Sequence, residues 1–203
     1  MKRFHALSLA LILGLIPLTQ AQTVDSSLSF FITSDSIGQG GNLGGLSGAD
    51  AHCQQLAAAV NKGNRVWRAY LSTQGANAVN ARDRIGTGPW FNANKVKIAS
   101  NLTELHNPST NMISQTNGLT EKGTQIPASP NRHDILTGTR ANGTAYLANA
   151  DSTCANWTSS AGTMRRWSMP CGPNPSVRLL WTPVNGSCFR RPARPTRRIA
   201  SAH

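Results

Sequence analysis

A histidine followed directly by an aspartate, His133-Asp134, is the pair in this chain best suited to acid–base chemistry, because a carboxylate can orient an imidazole. Two facts count against catalysis. Adjacent residues of a strand point to opposite faces, and no nucleophile in a recognisable elbow accompanies the pair. Asp134 reads instead as a hydrogen-bond acceptor for backbone or for an arginine such as Arg82 or Arg84. A second group lies upstream: Glu104, Asn107, Asn111, Asn117 and Glu121 offer carboxylate and amide oxygens, the donors that calcium takes. No spacing singles them out as a cation site. Together with His133 and Asp134 they form the candidate ligand-binding set. Trp67, Trp90 and Trp157 could stack on sugar rings, but their strand positions predict packing. His52 reads as a helix-surface residue. No catalytic residue, metal or cofactor is expected.

Four cysteines, Cys53, Cys154, Cys171 and Cys188, allow three pairings, and the sequence does not choose among them. No CxxC or HxxxH spacing accompanies them, so a structural zinc site is not expected. Disulfides belong to oxidising compartments, and the N-terminus agrees. Lys2, Arg3 and His5 precede an apolar run from Ala6 to Leu18 and the small-residue site Thr19-Gln20-Ala21, the pattern of a secretory signal peptide over residues 1–21. That run is short for a membrane span. The mature chain is expected to be secreted, periplasmic or extracellular, with no membrane span after cleavage.

The net charge of +12 invites a nucleic-acid partner, but its distribution argues otherwise. Between residues 22 and 163, ten basic residues face eight acidic ones, so the body is nearly neutral. The excess sits in the last forty residues, as Arg165, Arg166, Arg178, Arg190, Arg191, Arg194, Arg197 and Arg198. Such a tail could bind polyanions, although aromatic interleaving for base stacking is thin. Its mixture of Arg, Pro, Trp and Cys, without an apolar period, is also what a GC-rich gene yields when read out of frame. In that case the charge carries no information about partners, and no nucleic-acid partner is expected.

The elements that must position these residues are short. Ser29 to Thr33 reads as a strand. Glycines from Gly41 to Gly45 then feed a helix over 48–61, with Ser47 as N-cap and Asp50 as its capping partner. Ala49, Cys53, Leu56 and Val60 recur at helical spacing, which turns Cys53 toward the core. Val66 to Ser72 alternates, with Trp67, Ala69 and Leu71 on one face. Asn80 to Gly86 predicts a short turn or helical piece, and Gly88 to Ser100 a hairpin around Asn92-Ala93-Asn94. Asn101 to Pro130 reads as a long polar surface loop, of a length that is often functional. Order returns over 131–139, with short strands at 144–147 and 153–158. The fold class is α+β: one main helix, short antiparallel strands and a long polar loop.

The segments GNLGGLSGADAHCQ, VWRAYLS, ARDRIGTGPWFN, NRHDILTGT and TCANWTSS, in this order, resemble a family of exported bacterial proteins with a C-type-lectin-like fold, related to the endostatin domain and labelled lectin-like or endostatin-like. The resemblance runs from Phe30 to about Ser160 and divides the chain into a signal peptide (1–21), a lectin-like domain (22–163) and a divergent basic tail (164–203). It implies a non-enzymatic recognition module that binds carbohydrate or a cell-surface or matrix protein. The alternative is a structural or adhesive envelope protein without a small-molecule ligand. A calcium-dependent sugar site would carry Glu-Pro-Asn or Gln-Pro-Asp and a Trp-Asn-Asp triplet, and neither occurs here. The resemblance also implies that the helix cysteine, Cys53, bonds a cysteine in a terminal strand ending Tyr-Cys-Phe-Ala. That strand has no counterpart in this sequence, which would leave Cys53 unpaired or paired with Cys171. The second implied pair joins Cys154 to the cysteine of a Gly-Cys step, for which Cys188 is the nearest match.

Overall fold

The computed structural model describes residues 26–35, 37, 39–126, 135–147, 150–161, 163–164, 169–170 and 187–191. Strand β1 (Phe30–Ile32) is followed by helix α1 (Gly45–Ala59) and strand β2 (Val66–Ala69). A 3-10 turn (Ala81–Asp83) leads into the hairpin β3 (Trp90–Phe91) and β4 (Lys97–Ala99), and then into the short helix α2 (Leu102–Leu105). A helical turn over Cys154–Trp157, the pair β5 (Thr163–Met164) and β6 (Met169–Pro170), and β7 (Ser187–Arg191) complete the order. Residues 1–21, expected as a signal peptide, lie outside the described residues.

The main sheet has the order β1-β7-β2, with both pairings antiparallel. The strand expected to be missing is therefore present and central. Its sequence, Ser-Cys-Phe-Arg-Arg, sets a cysteine and a phenylalanine on opposite faces of the sheet. Phe189 pairs Phe30 and Arg68, whereas Cys188 pairs Phe31 and Ala69. Successive side chains of a strand alternate faces, so each face of the sheet closes its own core. On one face Phe31, Trp67, Ala69 and Cys188 pack with Ala49, Cys53 and Ala57 of α1 and with Trp157. On the other, Phe30, Ile32 and Phe189 pack with Ile85, Trp90, Ile98 and Leu105. Phe189 lies 5.0 Å from Phe30, 5.4 Å from Tyr70 and 5.6 Å from Trp90 between ring centroids. The sheet thus draws on residues beyond 163.

Cys53 is bonded to Cys188, not to Cys171, tying α1 to the middle strand across 135 residues of sequence. The implied partnership of Cys154 with Cys188 is excluded by that bond. Cys154 is itself disulfide-bonded, and Cys171 lies outside the described residues. Cys188 and Cys53 lie in the same buried core between the sheet and α1, which brings the two sulfurs together.

The start of α1 also differs from expectation. Gly44 is the N-cap, with φ 72°, and Gly45 follows at φ 70°. Two consecutive left-handed residues favour glycine, which lacks the Cβ that opposes them. Ser47 does not cap; its hydroxyl only reaches the Gly44 carbonyl at 3.4 Å. Asp50 does not partner it either. Its carboxylate accepts from the Ala69 amide at 2.9 Å and binds Arg84 through both oxygens at 2.8 Å, with Arg68 at 3.2 Å. One turn on, Gln54 accepts from the Trp67 amide at 3.2 Å and donates to the Gly63 carbonyl at 2.8 Å. Residues four apart share a helix face, so Asp50 and Gln54 run along β2 in place of a fourth strand. They satisfy amides that would otherwise template another chain.

The segment expected as a strand over 153–158 is a left-handed helical turn. Cys154, Ala155, Asn156 and Trp157 have φ of 51°, 55°, 55° and 67°. Such a conformation costs about 1–2 kcal/mol per L-residue, and its surroundings offset it. The Asp151 carboxylate accepts from the amides of Thr153 and Ala155 at 2.8 Å each. The Asn156 side chain accepts from the Gln74 amide at 2.7 Å and donates to the Gln74 carbonyl at 3.1 Å. The buried indole of Trp157 donates to the Ser72 carbonyl at 2.8 Å. The strand expected over 144–147 is reduced to one bridge, between Thr139 and Ala145.

Candidate binding surface

The long loop begins with a reciprocal cap. Asn101 accepts from the Glu104 amide at 2.9 Å, and the Glu104 carboxylate accepts from the Ser100 amide at 2.9 Å. Hydrogen bonds from the hydroxyl and amide of Ser100 hold the Glu104 carboxyl below the ordinary carboxylate range. A chain of side-chain-to-backbone bonds then fixes the exposed course. Asn107 accepts from the Ser109 amide at 3.0 Å, and Asn111 accepts from the Ile113 amide at 3.0 Å while donating to the carbonyls of Leu105 and Asn107. The Ser114 hydroxyl accepts from the Asn117 amide at 3.2 Å. Bonds of this kind replace a regular ladder with local turns.

The loop is not a surface excursion throughout. Leu105, Leu119, Thr120, Glu121 and Ile126 are buried, and Thr120 bridges Ile32 at the edge of β1. Glu121 accepts from the backbone amide of Ser34 at 3.0 Å and from the Ser34 hydroxyl, which tethers the returning limb to the end of β1. Its carboxylate faces inward, away from any ligand in solvent. Asn117 contributes its backbone carbonyl to Asn92 at 3.0 Å.

The described candidate residues are therefore engaged in local structure. Glu104 serves a helix cap, Asn107 and Asn111 serve turns, and Glu121 serves a buried tether. Side-chain oxygens of Glu104, Asn107, Asn111 and Glu121 each accept from a backbone amide. Among the described residues, no group of three His, Cys, Asp or Glu side chains could hold a metal ion. His133 and Asp134 lie outside the described residues. The arginines suggested for Asp134 are engaged elsewhere, Arg84 by Asp50 and Arg82 by the Asn142 carbonyl at 3.0 Å. Trp67, Trp90 and Trp157 are each at most 1% exposed, so none offers a ring to a sugar.

The loop does expose Met112 and Ile113, 49% and 44% accessible. Ile113 also lines a cavity of about 270 Å³ with Ile32, Ser114, Gln115, Gly118, Ile126 and Ile135. Composition marks the loop only as polar and passes over these two residues. The adjacent apolar pair in a polar stretch was the signal that could have found them.

A family model described as a protein of unknown function, DUF1554, matches residues 36–166, and the chain belongs to that family. No curated protein matches the chain. Among the described residues, no helix is long and apolar enough to cross a membrane.

Proposed function

We propose that the protein is an exported, non-enzymatic recognition module of the lectin-like, endostatin-like kind, and that it binds a cell-surface or matrix component through the exposed part of its long loop. One observation carries this. From Asn107 to Asn117 the backbone is held by its own side chains while Met112 and Ile113 stand in solvent. A loop ordered before contact loses less conformational freedom on binding. The disulfide between Cys53 and Cys188 supports export, since such bonds persist in oxidising compartments. Of the two ligand classes, the exposed apolar pair and the burial of Trp67, Trp90 and Trp157 favour a protein over a sugar.

The test uses the purified mature protein on a glycan array, with and without a chelator, and on a panel of purified matrix and surface proteins. Saturable binding to a protein ligand is expected, lost when Met112 and Ile113 are both changed to Asp while the melting temperature holds. Silence on both panels would refute the proposal and favour a structural or adhesive envelope protein.

A further inference from the structure

We propose that His106 latches the turn from Thr139 to Ala145 onto the domain, and that protonation of this histidine releases the turn. His106 caps the C-terminus of α2, at the root of the long loop. Its Nδ1 lies 2.7 Å from the Leu102 carbonyl, which can only accept, so Nδ1 carries the proton. Nε2 then holds a lone pair, and the Tyr70 hydroxyl donates to it at 2.6 Å. The backbone of Gly143 is wedged against the same atom. A methyl group at Gly143 would overlap His106 Nε2 and lie 2.8 Å from Arg82 Cβ. Arg82 grips the turn from the other side, its amide donating to the Gly143 carbonyl at 3.1 Å and its guanidinium to the Asn142 carbonyl at 3.0 Å. The Asn80 side chain accepts from the Ala145 amide at 2.9 Å.

A proton on Nε2 inverts this arrangement. The ring nitrogen becomes a donor, so the Tyr70 hydroxyl must turn its hydrogen away in a half-buried place and accept instead. A cation also appears beside Arg82. Among the described residues, the other charged groups on the surrounding elements do not compensate: Arg84 is bound to Asp50, Asp83 to Asn80, Glu104 to Ser100, and Arg140 on the turn is exposed. Burial, and secondarily Arg82, hold the imidazole below its ordinary pKa against the opposing bond to Leu102. Burial likewise pushes the Tyr70 hydroxyl well above its ordinary value, so it remains a donor. A group with a lowered folded pKa stabilises the closed form above the free histidine value, near 6.5, and that contribution fades as pH falls below it.

The latch is tested on the full-length mature protein by following backbone amides and histidine rings by NMR from pH 7.5 to 5. The amides of Gly143 and Arg82 should shift with the same midpoint as the His106 ring and lose hydrogen-exchange protection on the acid side. His106→Gln, which cannot titrate, should abolish that shift and loss. Amides of the turn that ignore the His106 midpoint in the wild-type protein would overturn the proposal. So would an unchanged acid response in His106→Gln, and where that variant fails to fold the wild-type titration alone decides.

Discussion

Replacing Phe189 by alanine asks whether the arginine-rich end of the chain belongs to the fold. Phe189 is 2% exposed and touches Phe30, Tyr70 and Trp90 from the central strand of the sheet. Truncating a buried phenylalanine costs about 3–5 kcal/mol, from lost transfer energy and the cavity left behind. Domain stabilities run to about 5–15 kcal/mol, so the variant should be marginal at room temperature. With a urea slope near 2 kcal/mol per molar, the unfolding midpoint should fall by about 1.5–2.5 M. Phe189→Leu keeps most of the volume and should lose less than about 1.5 kcal/mol. Leu147, 74% exposed, provides the control, and its alanine variant should stay within about 0.5 kcal/mol of wild type. The curves are to be recorded without reductant, so that the bond between Cys53 and Cys188 holds in every protein. If Phe189→Ala and wild type unfold together, β7 does not occupy the sheet, and the terminus is the out-of-frame addition its composition suggests.

Two further outcomes follow from buried or strained groups. Asp50→Ala leaves Arg84 without its carboxylate and the Ala69 amide without an acceptor; Asp50 and Arg84 side chains are only 14% and 10% exposed. Breaking such a pair costs about 3–5 kcal/mol, so a thermal or urea midpoint within error of wild type would show that the edge of β2 is covered in another way. Asp151 carries the left-handed turn. Desolvation pushes its carboxyl up, but bonds from Thr153, Ala155 and Cys154 outweigh that and hold its pKa below the ordinary value. A depressed carboxyl stabilises the fold above its unfolded pKa, near 3.9, and the contribution is lost as pH falls through the folded value. Asp151→Asn should therefore flatten the stability–pH curve below about pH 4, and a curve parallel to wild type in that range would refute the assignment.

Local pattern made several elements legible from the sequence. The buried face of α1, the alternation of Trp67, Ala69 and Leu71, and the hairpin around Asn92 all follow from spacing that any packed core imposes. The partners were not legible, because they are set by residues distant in the chain. Asp50 looked like a capping residue, since a carboxylate near a helix start has that local use. Its true partners lie 18, 19 and 34 residues away, at Arg68, Ala69 and Arg84. The strand expected at Thr153 to Thr158 failed for a similar reason. Nothing local announces a left-handed turn in four residues without glycine, and it persists only because Asp151, Gln74 and Ser72 hold it.

The sequence by itself determined an α+β chain with a buried helix cysteine and a polar loop too long to be a simple connection, because periodicity and composition record how much of each segment must leave water. Only the tertiary structure decided which cysteine meets Cys53, that Ser187–Arg191 forms the middle of the sheet, and that Glu121 faces inward while Met112 and Ile113 face out. Packing across the sheet fixes the first two, and the tether from Ser34 turns Glu121 inward. The layers packed on either side of the sheet bury both faces of its middle strand, and no count of residues along the chain reveals which segment will take that place.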